Sequence, residues 1–230
     1  MKVEIYSDVA CPWCYIGERR FQRALAAFPR ADEVEVVFRP YQLDPGAPAE
    51  PVPLKAYLER RFGRPVDDML AVASANARSE GLELNWDRAL SANTLTAHRL
   101  MWLAEREYGA AVQRVLADKL FEAYFTKGGD VSDPELLASL AVEAGMDGDR
   151  VRAFLASDEG LAETEAEIER ARSLGITAVP TFVIDGKWAV QGAQPASTFL
   201  RVLEEVAAQA ARAPDAGDGG DACADGRCAV

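Results

Sequence analysis

The sequence predicts an α/β fold in which a βαβ unit and a ββα unit flank a large all-helical insertion. Three observations predict it. Runs with the period-two, β-branched and aromatic character of strands cluster toward the two ends of the chain. Helical periodicity fills almost all of residues 54–174, and a Cys-Pro-Trp-Cys stretch at residues 11–14 stands where the first strand gives way to the first helix.

Lys2 to Tyr6 alternate as a strand, with Val3 and Ile5 on one face. Ile16, Phe21, Leu25 and Phe28 then recur at helical spacing until Pro29 stops the run. Val34 to Phe38 reads as a second strand and completes a right-handed βαβ unit. Prolines at 40, 45, 48, 51 and 53 mark residues 40–53 as a linker without regular structure. Helices are expected over Leu54 to Arg61, Val66 to Ala77, Leu95 to Ala104 and Val112 to Tyr124, before Gly128-Gly129 breaks the pattern. Ser132 is expected to cap the next helix, with Pro134 and Glu135 at favoured early positions, and Asp149 to Leu155 to form a shorter one. Ser157 is expected to cap a helix that carries Leu161, Ile168 and Leu174 on its apolar side and ends at Gly175. Thr181 to Ile184 and Trp188 to Val190 read as a hairpin about Asp185-Gly186. Pro195 to Ala211 closes the pattern as an amphipathic helix with Phe199, Val202, Leu203 and Val206 inward. Residues 1–50 and 175–211 are thus expected to form one α/β domain, 51–174 an insertion domain, and 212–230 a tail.

The cysteine pair carries the chemistry. Cys11 lies where the unsatisfied N–H groups and positive dipole end of the first helix favour a thiolate, so it is the expected attacking sulfur. Pro12 suits the first helical position, which has no intrahelical use for its missing N–H. Cys14 lies one turn on, toward the protein, and is the expected resolving sulfur. Half of a zinc site, or two unrelated buried thiols, are the alternative readings of the same four residues. Val179-Pro180-Thr181 opens the third strand, where a proline costs no ladder bond; its peptide is open to the cis form, and an ordinary strand start is the alternative reading.

Composition bounds the rest. The 230 residues are 49% hydrophobic, enough for a sizeable core, and carry a formal net charge of -12. That balance, with a pI near 4.7, argues against nucleic acid as a partner, because no basic face is available to neutralise phosphates. No apolar run approaches the roughly 20 residues that span a bilayer, so no membrane role is expected. The amino terminus shows no basic region followed by a hydrophobic stretch and cleavage site, and a cytoplasmic location is expected. Disulfides there are mostly transient, which favours a catalytic role for the cysteines.

Through Asp8-Val9-Ala10-Cys11-Pro12-Trp13-Cys14-Tyr15-Ile16-Gly17, Gly175-Ile176-Thr177-Ala178-Val179-Pro180-Thr181-Phe182 and Gly192-Ala193-Gln194, the sequence resembles the DsbA-like thioredoxin family and, within it, the FrnE-like branch. The resemblance spans residues 1 to about 210. It implies a thioredoxin-like fold with a large all-helical insertion, and thiol:disulfide oxidoreductase activity on protein disulfides with no cofactor or metal. Glutathione or a thioredoxin-type reductant is the implied electron donor. A cytosolic thiol pool opposes net disulfide formation, so reduction or isomerisation is the favoured direction. The resemblance also implies that Pro180 faces the cysteine pair and leaves the Val179 backbone to bind substrate. It sets the segment Asn93 to Arg99 on an insertion helix facing the site, with the single histidine of the chain, His98, as a group that tunes Cys11 or binds substrate. The plainer reading makes Asn93 an N-cap and His98 a partly buried helix residue. Trp13 lines a substrate groove or covers Cys14, and Asp8 lies under the pair as an influence on proton transfer.

From Arg212 onward the composition is too polar and glycine-rich to pack and reads as a flexible arm. Near its end Cys223 and Cys228, with Asp225-Gly226 between them, offer a second pair expected to exchange with the first, to close a small loop, or to complete a four-thiol zinc site. Two further functions compete with the leading one: a glutathione-dependent kappa-class-like transferase or isomerase, and a holdase or zinc-binding module built on an apolar groove around Trp13.

Overall fold

The computed structural model of the chain describes residues 1–48 and 50–212. β1 (Lys2–Ser7) leads into α1 (Pro12–Ala27) and, after a 3₁₀ turn, β2 (Glu35–Pro40). Two two-residue strands, β3 (Val52–Pro53) and β4 (Leu90–Ser91), bracket α2 (Leu54–Phe62) and α3 (Asp67–Ser79). Then come α4 (Leu95–Leu103), α5 (Ala110–Phe121), α6 (Pro134–Glu143), α7 (Gly148–Leu155) and α8 (Leu161–Ser173), with π-helical turns after α4 and α5. β5 (Thr181–Ile184), β6 (Trp188–Gln191) and α9 (Ala196–Arg212) finish the fold.

The main sheet has the order β2-β1-β5-β6, with β1 parallel to β2 and antiparallel to β5. Ile5 stands opposite both Phe38 and Phe182, so the strand patterns read from sequence meet at one central row. The β5–β6 turn has Asp185 and Gly186 at φ 49° and 65°, the pair of positive angles for which an Asp-Gly sequence is suited. Over one sheet face Phe21 of α1, Phe182 of β5 and Phe199 of α9 form an aromatic cluster with centroids 4.5–5.5 Å apart. Each of the three rings is almost fully enclosed, a burial worth about 1.5–3 kcal/mol per side chain.

The helices between β2 and β5 are bonded to this frame by polar groups. The carboxamide of Gln113 on α5 accepts from Phe38 N–H at 2.8 Å and donates to Phe38 carbonyl at 3.0 Å, so it satisfies the open edge of β2. Arg39 joins Glu4 on β1, at 2.8 Å, to Glu105 beyond α4, at 2.7 Å. Arg20 of α1 reaches Glu80 and Asn76 as well as the Ala193 carbonyl after β6.

Four local expectations are corrected. Residues 40–53 are not wholly irregular, because Val52 and Pro53 pair with Ser91 and Leu90. Asp133, not Ser132, caps α6 by accepting from Glu135 N–H at 3.0 Å, while Ser132 turns back onto Asp130. Ser157 closes the end of α7 by donating to the Phe154 carbonyl, and α8 starts later, after Gly160 in the left-handed region. Leu174 is 57% exposed, since α8 ends before it and the chain turns away at Gly175.

Candidate active site

The junction of β1 and α1 builds the site from adjacent residues. Asp8 carbonyl accepts from Cys11 N–H at 3.0 Å, which turns the chain so that Cys11, in an extended conformation, becomes the N-cap of α1. Pro12 takes the first helical position, as expected. The first turn contains no acidic side chain and Cys11 makes no side-chain cap bond, so the positive end of the helix faces its sulfur without a carboxylate of the helix to offset it. Across from it the Val179–Pro180 peptide is cis, and the Cys11 thiol donates to the Val179 carbonyl at 3.7 Å.

Among the described residues both thiols are free, and both are buried, Cys11 at 3% and Cys14 at 1% exposure, so position distinguishes them more than access does. Burial, followed by the hydrogen bond and charge of Cys11, pushes the Cys14 thiol well up; Ser7 and the Asp8 backbone offset this in part. Trp13 is half-buried and packs against the core beside the pair.

Two other expected residues converge here from different parts of the chain. Asp8 is 2% exposed; its carboxylate accepts from Leu43 N–H at 2.7 Å and Ala10 N–H at 3.3 Å and lies 3.4 Å from His98 Nε2. His98 is fully enclosed on α4 rather than partly buried, and it meets Asp8. Thr94 occupies the N-cap position expected for Asn93, whose carboxamide nevertheless accepts from Leu95 N–H at 2.9 Å and ties Gln42 and the Pro45 carbonyl to the start of α4. Cys223 and Cys228 lie outside the described residues. Among the described residues no group of three or more His, Cys, Asp and Glu side chains is arranged to hold a metal ion.

Sequence reasoning missed the neighbours supplied by distant segments, among them Leu43, whose N–H donates to Asp8. Gly17 did carry a signal, being a glycine inside a helix. A Cβ there would stand 2.9 Å from Pro180 Cγ and 3.3 Å from Ala193 Cα, so its absence lets α1 close on the Pro180 loop. Gly17→Ala is expected to cost about 1–3 kcal/mol despite the better helix propensity of alanine. Urea unfolding checks this; an unchanged or raised midpoint would mean that the loop yields freely.

A four-stranded sheet with a dithiol at the N-terminus of its first helix, facing a cis proline, defines a thioredoxin-like protein. The chain belongs to the DSBA-like thioredoxin domain family, whose model matches residues 2–204. A probable DsbA oxidoreductase, SCO1869 from Streptomyces coelicolor, is similar at 38% identity and a TM-score of 0.85, covering 100% of this chain and 99% of that one. The uncharacterized protein YwbO of Bacillus subtilis is 26% identical over 214 residues, 88% of this chain and 96% of that protein. The cytosolic disulfide reductase DsbM of Pseudomonas aeruginosa, at 17% identity and a TM-score of 0.62 over 91% of this chain and 100% of that one, shares the fold. Among the described residues no helix is long and apolar enough to cross a membrane.

Proposed function

We propose that the protein is a thiol:disulfide oxidoreductase of protein substrates, acting through Cys11 and Cys14 in the reductase or isomerase direction. The observation that carries this reading is the asymmetry of the pair: Cys11 is the N-cap of α1 against the Val179 carbonyl, and Cys14 is enclosed one turn on with its thiol pushed well up. Cys11 thiolate attacks one sulfur of a substrate disulfide, forms a mixed disulfide and expels the other substrate sulfur, which takes up a proton. Cys14 then loses its proton, attacks the Cys11 sulfur and releases the second substrate thiol. Two electrons and two protons pass to substrate, and the Cys11–Cys14 disulfide forms. A second thiol of the substrate that attacks the mixed disulfide instead makes the outcome an isomerisation and returns the dithiol.

Reoxidised protein is returned to the dithiol by glutathione or a thioredoxin-type reductant, in a cytoplasmic setting whose thiol pool drives that step. In this reading residues 1–50 and 175–211 form the catalytic domain. The insertion, 51–174, supplies His98, whose Nε2 lies 3.4 Å from the Asp8 carboxylate. Val179 and Trp13 are the substrate-facing neighbours of the pair. The test is reduction of insulin disulfides and reactivation of scrambled ribonuclease by the pure protein. Cys11→Ser is expected to abolish both, and activity retained in that variant would end the reading.

A further inference from the structure

One guanidinium on the helix of the dithiol gathers partners from two distant segments. Arg20 lies on α1 beyond Cys14; its Nε donates to Glu80 Oε1 at 2.8 Å and its Nη2 to Asn76 Oδ1 at 3.0 Å, both at the C-terminal end of α3. Its Nη1 donates to the Ala193 carbonyl at 2.6 Å. The Arg20 and Glu80 side chains are 14% and 7% exposed. Burial alone pushes the Glu80 carboxyl up, but the bonds from Arg20 and Arg23 outweigh it and hold the group below the usual carboxylate range, so the pair stays charged. An enclosed ion pair is costly unless its hydrogen bonds are complete, and the planar fork of arginine meets three partners at once, which the point charge of lysine does not.

The Ala193 carbonyl ties this cluster to the dithiol. Residues 192–195 join β6 to α9 without helix or strand of their own. Gly192, at φ 84°, donates its N–H to the Pro180 carbonyl at 2.7 Å, and Pro180 follows Val179, whose carbonyl accepts from the Cys11 thiol at 3.7 Å. Ala193 and Pro180 also close on α1 at the one place where Gly17 leaves room for them. The bonds of Gln194, from its N–H to the Gly192 carbonyl at 2.9 Å and from its carboxamide to the Gln191 carbonyl at 3.0 Å, stay within the segment. They shape the turn but do not fix it to the rest of the protein. The Arg20 fork does, and α3 holds the fork.

From these observations we infer that Arg20 is a positioning residue for substrate capture: braced by Glu80 and Asn76, it fixes the 192–194 segment, and with it the Val179–Pro180 entry to β5, where a substrate backbone lies across Val179 while Cys11 attacks. Arg20 touches neither substrate nor sulfur and acts through Ala193. The end of α3 thereby gives the helical insertion a part in binding substrate, transmitted through one side chain of α1. The inference rests on the dithiol reading above.

The test compares kcat/KM of the full chain on a disulfide-linked peptide and on hydroxyethyl disulfide, which forms the same mixed disulfide on Cys11 but has no peptide backbone to lay on Val179. Arg20→Ala is expected to lower kcat/KM on the peptide by about tenfold to a hundredfold, mainly through KM, as a shift of up to about 1 Å in a positioned group does, and to change it by less than about twofold on the small disulfide. Glu80→Gln is expected to lower the peptide-to-small-disulfide ratio by about threefold in the wild-type background and to add nothing in Arg20→Ala, because the two side chains act as one unit. Circular dichroism and a urea midpoint establish that each variant is folded. If Arg20→Ala is not, Arg20→Lys takes its place; it keeps a cation against Glu80 without the fork and is expected to lower the ratio in the same direction. In a folded variant, a ratio equal to that of the wild type, or a further drop on adding Glu80→Gln to Arg20→Ala, overturns the inference and leaves the dithiol reading intact. A wild-type protein that reduces neither substrate takes down both.

Discussion

Cys14→Ser is expected to convert the protein from a turning-over reductant into a trap that holds one equivalent of substrate as a mixed disulfide on Cys11. The first step needs only Cys11, whose place at the N-cap of α1 and contact with Val179 are untouched by the change. The second step needs a sulfur inside the protein. Cys14 is 1% exposed and its thiol is held well up by burial, so it is not itself an exposed nucleophile and acts when Cys11 has become an electrophile beside it. Serine has the same shape but cannot displace a disulfide sulfur. A reductant-sensitive conjugate on a non-reducing gel, with the matching mass, reads the outcome, and Cys11→Ser gives none. Turnover at the wild-type rate in Cys14→Ser would assign the release step to an external thiol.

The second large effect lies on the same helix and concerns stability. Glu18 is 1% exposed, one turn beyond Cys14; its Oε1 accepts from the Gln22 amide and its Oε2 has no hydrogen-bond partner among the described residues. Burial, then the charge of Asp118, pushes its carboxyl from 4.5 up to about 7, against the opposing pull of Arg19, Gln22 and Arg114. Below pH 4.5 the group is protonated whether the chain is folded or not, and it costs nothing. Between pH 4.5 and 7 the unfolded chain gives up the proton first, so stability falls as pH rises; above 7 the full cost is present. That window corresponds to roughly 3 kcal/mol. Glu18→Gln is therefore expected to stabilise the fold by about 1–3 kcal/mol at pH 8 and by little at pH 4.5, the lower end allowing for the unmet donors of the new amide. Paired urea titrations at the two pH values check this, and a gap that does not change with pH would show that the carboxyl is hydrated.

Glu18 also shows where reading the chain residue by residue stops working. Helical periodicity assigns Ile16, Phe21 and Leu25 to the inner face, and all three are buried there. The same period carries no sign that α5 would close over Glu18 as well, because Asp118 and Arg114 lie far along the chain. Gln113 is similar: a glutamine in an amphipathic helix reads as surface, yet it is 1% exposed and completes the edge of β2. The capping residues of α6 and α8 were misplaced for a smaller reason. Serine, aspartate and glycine within a few residues all satisfy the same local rule, and only the backbone path chooses among them.

By itself the sequence determined the elements whose signal is local: the strand-to-helix junction that carries Cys11 and Cys14, the proline that opens β5, the Asp-Gly hairpin, and the helical run between the two halves of the sheet. Each depends on interactions within about one turn or one strand, so residue type and spacing suffice. Only the tertiary structure decided which polar groups are enclosed together. It brought His98 to Asp8, set Gln113 against the edge of β2, and enclosed Glu18. Those pairings join residues from different segments of the chain, and burial and charge balance at such points depend on how the elements pack, which no local pattern encodes.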